Sequence, residues 1–303
     1  MEKAKGKNSA DFSEIIFSVV VILSSIIAFI VVAYPIYFIL IASISDANLV
    51  HQGQVTLLPK KVNLYGYNQI FNDPRIWIGY RNTIFYTFAG TFLNLVVTLP
   101  AAYTLSRKDF KHRRIIMSIF VFTMFFNGGM IPTYLLVKNL GLVDTPWIMV
   151  IMGAVNVYNL IIVRTYFETS VPVELYEAAV LDGCSHFRHF FTIVLPLSKA
   201  VISVIFLYYM VGHWNDFFNG LLYINSDSLQ PLQVVLRNIL LANEAFKGGV
   251  ASGAGSGMGS YAQRYADQVK FAVIIVSTLP VVCIYPFIQK YFEVGVMIGA
   301  IKG

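Results

Sequence analysis

Ile15–Ser45 reads IIFSVVVILSSIIAFIVVAYPIYFILIASIS, 31 residues without one charged side chain. An α-helix needs about 20 apolar residues to cross roughly 30 Å of hydrocarbon, so this run can span a bilayer. Inside lipid every backbone N–H and C=O has to be paired within the protein, which leaves helices or closed barrels. The run shows no period-2 alternation, so the barrel is excluded. Its basic start suits a secretory signal, but a signal core holds only about 7 to 15 apolar residues. We read it as a retained helix with a predicted kink at Pro35.

Four more charge-free runs reach spanning length: Asn82–Ser106, Ile115–Val137, Thr145–Val163 and Phe271–Gln289. A sixth, Ala200–Asn215, is 16 residues long and resumes apolar beyond Asp216. The expectation is an all-α polytopic membrane protein of six transmembrane helices. Composition agrees, with 57% hydrophobic and only 13% charged residues. A soluble domain carries about a quarter charged residues. Little polar sequence is left to build a separate enzyme domain. The formal charge of +6 could suit a nucleic acid or an anionic surface, but its placement decides otherwise.

Placement gives orientation. The short loop Arg107–Arg114 (RKDFKHRR) has five basic residues and one acid, and such loops stay in the cytoplasm. Both termini then lie inside, and 13 of the 22 Lys and Arg fall on inner segments. The outer loops are 46–81 and 225–270. The second contains Gly248–Ser260, GGVASGAGSGMGS, which lacks the lysine of a phosphate-binding loop and reads as a flexible external loop. The organisation expected is an N-terminal segment with first helix and outer loop (1–81), a five-helix core (82–290) and an inner tail (291–303). Cys184 and Cys283 are too dissimilar in setting to pair and read as free thiols.

Between the fourth and fifth runs the inner side carries Val171-Pro-Val-Glu-Leu-Tyr-Glu-Ala-Ala-Val-Leu-Asp-Gly183, then nine residues, then Ile193-Val-Leu-Pro196. Pro172 suits a first helical turn, and Glu174 and Glu177 sit near the positive end of the helix dipole. Gly183 suits a left-handed helix end. Phe187, Phe190, Phe191 and Val194 then fall at i, i+3, i+4, i+7, one apolar stripe for packing or docking. Pro196 is expected to break the second helix. The region, about 171–196, is a helix pair shaped to fit another protein's groove, with small Ala178 and Ala179 allowing close approach.

The pattern E-A-A-x(3)-G-x(9)-I-x-L-P, met by Glu177, Ala178, Ala179, Gly183, Ile193, Leu195 and Pro196, resembles the EAA motif of bacterial binding-protein-dependent ABC permeases. Asp182 before the glycine also fits that family. The resemblance implies a type I ABC importer permease fold and a coupling helix seated in a cleft of an ATP-binding subunit. Glu177 would pair with a basic residue there. The tail Gly295–Gly303 is similar to that of the smaller maltose-system permease, implying that Lys302 and Gly303 reach the ATPase subunits. Phe126–Tyr134 and Gly212–Asn215 resemble a branch for complex oligosaccharides and polysaccharides. The implied partners are a second permease, two ATP-binding subunits, an extracytoplasmic sugar-binding protein and membrane lipid, with no nucleic acid. The chain itself would bind no cofactor or metal and carry no catalytic residue; ATP and Mg would sit on the partners. The location implied is the bacterial plasma membrane.

His213, Trp214 and Asn215 are candidate sugar contacts, because polar groups at membrane depth face a bundle interior or a wet path. Trp at a span's end is equally an interface anchor. Asn127, Asn156 and Asn159 are further path candidates, or else interhelical hydrogen-bonding groups. His186 and His189 have a metal-compatible i, i+3 spacing that no Cys or carboxylate cluster completes. Two rivals stay open: an importer of non-sugar solutes, and a proton-driven carrier or membrane enzyme. A carrier should show buried acid relays and inverted repeats. Only Asp216 lies near a span, and no repeat is visible.

Overall fold

The computed structural model describes residues 12–253 and 268–284, with 286 and 289. Lys302, Gly303 and residues 254–260 of the glycine-rich run lie outside the described residues. Among the described residues there are helices and turns but no strand. Cys184 and Cys283 are free.

Among the described residues each of the six apolar runs contains helix, and two helices are long and apolar enough to cross a membrane alone. The first is α1 (Phe12–Ser43), one helix with Pro35 inside it. The second is α2 (Pro74–Ser106). The third run splits into α3 (Arg113–Phe125) and α4 (Met130–Asn139), bent by 112°. Gly129, at φ +83°, makes the turn, and the Asn127 side chain accepts its N–H at 3.0 Å. The fourth run is a short helix Pro146–Ile151, a break, and α5 (Val157–Ser170). Then come α6 (Val173–Leu181), α7 (His186–Leu197), α8 (Lys199–Trp214), α9 (Leu232–Gly253) and α10 (Gln268–Ile284). The expected flexible outer loop is therefore helical as far as Gly253. After α7 the chain bends by 84° into α8.

The chain divides into two compact units, one of Met1–Ile70 with Ala242–Val276, the other of Phe71–Leu241 with Ser277–Gly303. In the first, Gln268 is buried and donates to the carbonyls of Ser45 and Asn63 at 3.1 and 2.7 Å. From Ile15 to Val32 the large apolar side chains of α1 stand exposed, as lipid contact requires.

In the second unit α2 is central, packed by α5, α8 and the Pro146–Ile151 helix. Near its Arg107 end the core is Leu99, Ala102, Leu160, Val163, Phe190, Val194 and Ile205. The face of α2 turned inward is polar. Thr83, Thr87, Thr91, Asn94 and Thr98 are buried at spacings of three and four, with buried Asn82 beside the first. This stripe serves the irregular backbone around it. At the break in the fourth run, where Gly153 takes φ +75°, the freed carbonyls of Gly153 and Ala154 accept from Asn94 Nδ2 at 2.8 and 2.9 Å. Asn94 Oδ1 in turn lies 2.7 Å from His213 Nε2. A non-helical carbonyl in hydrocarbon costs several kcal/mol unless protein satisfies it, on the order of magnitude known for unpaired polar groups.

Gly90 makes room for this cluster, since a Cβ there would lie 2.4 Å from the His213 ring. Gly90→Ala should destabilise the protein by about 1–3 kcal/mol through overpacking. Gly212→Ala, with nothing within 4 Å, should cost nothing. Thermal unfolding of the two purified variants checks the contrast.

Candidate functional site

The segment that carries the sequence motif folds as a helical elbow. Its first arm, α6, follows Pro172, which sits just before the helix rather than in its first turn. The arm ends in a double turn. Cys184 N–H donates to Ala179 O at 2.8 Å and Gly183 N–H to Val180 O at 3.0 Å. Gly183 holds φ +72°. This is the Schellman arrangement, with glycine where a Cβ would be strained. Ser185 then caps the second arm, its hydroxyl accepting from Arg188 N–H at 3.3 Å.

The two faces of α6 differ. Glu174, Glu177, Ala178 and Leu181 are exposed at i, i+3, i+4, i+7, with Leu181 88% exposed. Among the described residues Glu177 has no ion-pair partner. Ala179 is buried, and Tyr176 is half-buried on the inward side. Asp182 and Gly183 are exposed at the bend. Sequence reasoning missed Leu181. Its signal was there, an apolar residue in register with two acids.

The inward face is rooted on the end of α2. The Arg107 guanidinium lies 3.5 Å from the centre of the Tyr176 ring. It also donates to Asp109 at 2.9 and 2.7 Å and to Tyr103 Oη at 3.2 Å. Tyr103 Oη is 3.0 Å from His189 Nδ1, and His189 meets Tyr176 edge to face. None of Arg107, Tyr103 and Tyr176 carries a mark in sequence that would reveal this cluster.

The second arm departs from expectation. Phe190–Val194 is a π-turn, and Pro196 lies inside α7, with the break delayed to Ser198. A π-turn advances fewer degrees per residue than an α-helix, so the predicted single stripe divides. Phe190 and Val194 are buried, whereas Phe187 and Phe191 are 80% and 61% exposed. Ile193 and Leu195 are half-buried and Pro196 is exposed. His186 stacks on Tyr176. Among the described residues no His, Cys, Asp or Glu group suits a metal.

The path candidates do not converge. Asn127 is exposed at the α3–α4 turn, and Asn215 is exposed at the end of α8, donating to Val211 O at 3.0 Å. Asn156 caps α5 by accepting from Asn159 N–H at 3.1 Å, and Asn159 is buried. Trp214 is buried and donates to Ser277 O at 3.0 Å. His213 is held by Asn94. Thr87 and Thr91, which sequence reasoning passed over, have buried hydroxyls with no partner among the described residues.

Three comparisons bear on this geometry. The family described as binding-protein-dependent transport system inner membrane component matches residues 76–298. Protein LplC of Bacillus subtilis (strain 168) is 40% identical over 269 residues, 89% of each chain. The polygalacturonan/rhamnogalacturonan transport system permease protein YtcP of the same organism is 38% identical, over 89% of this chain and 92% of that one. A crystal structure of a bacterial ABC transporter involved in the import of the acidic polysaccharide alginate includes a chain that superposes with a TM-score of 0.82 at 34% identity. The match covers 94% of this chain and 100% of that one.

Burial, followed by the charges of Arg107 and His186, pushes the His189 imidazole below its ordinary 6.5. The folded elbow then binds fewer protons than the unfolded chain in the window just below pH 6.5. Its stability is full above that value and falls as pH drops through the window. Amide protection over 186–194, taken relative to the intrinsic exchange rate at each pH, should therefore fall from pH 7.5 to 6, and His189→Phe should flatten that dependence.

Proposed function

We propose that this chain, an ABC importer permease that belongs to the binding-protein-dependent transport system inner membrane component family, carries carbohydrate and is driven through its elbow by partner ATPases. The observation that carries the mechanism is the division of α6 into a rooted face and a free one. Glu177, Ala178 and Leu181 are exposed, while Tyr176 is clamped to α2 through Arg107. A push on the free face is therefore delivered to the central helix.

In this reading the elbow and Arg107–Arg114 face the cytoplasm, as the basic loop supports. Glu177 pairs with a basic residue of an ATP-binding subunit, and Ala178 permits close approach. Asp182 and Gly183 form the bend, and Ile193, Leu195 and Pro196 complete the second arm. The tail residues Lys302 and Gly303 extend the contact. ATP and Mg are held by two separate ATP-binding subunits, and a second permease completes the membrane part. An extracytoplasmic binding protein delivers the cargo. ATP binds one conformation of the assembly more tightly, so it shifts the population between inward- and outward-facing states.

For the cargo, the relatives named above support carbohydrate, with oligosaccharides the class to test first. His213 and Trp214 support the bundle from within, so any sugar contact they make is added to a structural role. Asn127, Asn156, Asn159 and Asn215 remain proposed path residues, joined by Thr87 and Thr91.

Glu177→Lys places like charge against the partner's basic residue. It should abolish cargo-stimulated ATP hydrolysis and uptake by the assembled transporter while leaving assembly intact. Wild-type rates in reconstituted vesicles would refute the coupling role.

A further inference from the structure

The second arm of the elbow lies against the foot of α2. The chain turns by 84° between α7 and α8, so with α8 upright in the bilayer α7 runs along the membrane surface. A groove of about 380 Å³ separates α7 from the end of α2. Pro100, Phe110, Phe187 and Phe190 give it apolar walls, and Arg107, Asp109 and His186 also line it. Phe187 is exposed there, as is Phe191 four residues on.

The depth of the groove decides what it meets. Pro100 lies seven residues before Arg107 on α2, about 10 Å along a helix. Arg107 is the first charge after the run that begins at Asn82. The groove therefore starts at hydrocarbon depth and ends where water begins. Interfacial helices bury their apolar side chains over this same layer, about 5–10 Å deep. Pro100 and Thr104 also end an exposed column on α2, formed with Phe88, Phe92 and Val96 at spacings of four. That column lies opposite the buried polar stripe, so the groove opens at the foot of a face that suits acyl chains.

The surrounding charge is positive. Arg107 and Asp109 offset each other at 2.7 Å. Lys108, Lys111 and Arg188 adjoin the wall residues in sequence, are exposed, and have no ion-pair partner among the described residues. The acids of α6, Glu174 and Glu177, line a different cavity. Basic side chains at the end of a span attract acidic lipid, each by about fivefold.

We propose that this groove binds one acidic phospholipid of the inner leaflet. An acyl chain lies against Pro100, Phe110, Phe187 and Phe190, and the phosphate faces Lys108, Lys111 and Arg188. The bound lipid joins α7 to the end of α2 and so sets the seat of the elbow beneath the bilayer. Its assignment to the inner leaflet rests on the orientation proposed above; the site itself does not depend on the elbow's coupling role.

Photo-cross-linking tests this on the intact transporter, purified with its partner subunits into nanodiscs. The probes are phosphatidylglycerol and phosphatidylcholine carrying the same diazirine acyl chain, each at equal mole fraction, with adducts mapped by peptide mass spectrometry. Adducts are expected on 100–110 and 186–191, about tenfold more with phosphatidylglycerol. Phe187→Gln, at an exposed position, should cut labelling of 100–110 severalfold with both lipids. The double variant Lys108→Gln, Lys111→Gln should lower the phosphatidylglycerol excess by fivefold or more and leave phosphatidylcholine labelling unchanged. No adduct on these peptides, equal labelling by the two lipids, or labelling that neither variant alters overturns the proposal. Adducts that form only after the partner subunits are stripped also overturn it, in favour of a partner's apolar side chain as occupant. Nanodiscs carry the same lipids in both leaflets and no readout uses nucleotide or uptake, so failure here is separable from failure of the orientation or of the coupling mechanism.

Discussion

A backbone carbonyl in hydrocarbon has only protein to bond with, and the second unit is organised around that constraint. Two of its apolar runs are broken, at Gly129 and Gly153. Each break frees polar backbone that a straight helix would have satisfied. The inward face of α2 answers at one of them, where a single amide, Asn94, bonds two carbonyls and a histidine. A second link crosses the same region. Tyr209 Oη accepts from Asn156 N–H at 3.2 Å and lies 2.8 Å from Thr98 Oγ1. The polar stripe on α2 is therefore structural first, and it makes α2 the element through which movement elsewhere must pass.

The elbow joins that same helix at its Arg107 end. Stacking of a guanidinium on Tyr176 and the hydrogen bond between Tyr103 and His189 attach the elbow to α2 by polar and aromatic contacts, at the edge of an apolar core. Such contacts allow an exposed helix pair to keep one face free without coming loose. Exposed Leu181 and Phe187 flank the bend on either side. Large apolar side chains left in water beside a free glutamate make a surface that association with a partner would cover.

Much of this was legible in the sequence, because the relevant signals were local. Charge-free length revealed the spans, and the glycine that follows Ala-Val-Leu-Asp marked the turn at Gly183. What could not be read depended on geometry that composition does not encode. Apolar length says nothing about whether a run is straight, so the bends at Gly129 and Gly153 were invisible. The stripe of Phe187, Phe190, Phe191 and Val194 was projected at 100° per residue, and the π-turn made that projection fail. Pro196 was expected to end its helix, but it sits beyond the π-turn, where Leu195 N–H already reaches back to Phe190 O. Asn94 was overlooked because an isolated amide in an apolar run carries no sign of the three groups it meets.

The central claim is that the free face of α6 lies on the cytosolic side and moves with a nucleotide-binding neighbour. Its most direct measurement is cross-linking from Ala178→Cys, with Cys184 and Cys283 replaced by serine, in the assembled transporter. The account predicts a cross-link to the ATP-binding subunit whose yield changes between the nucleotide-free and ATP-bound states. Absence of that cross-link, together with labelling of the same cysteine by a membrane-impermeant maleimide added outside intact cells, would contradict it.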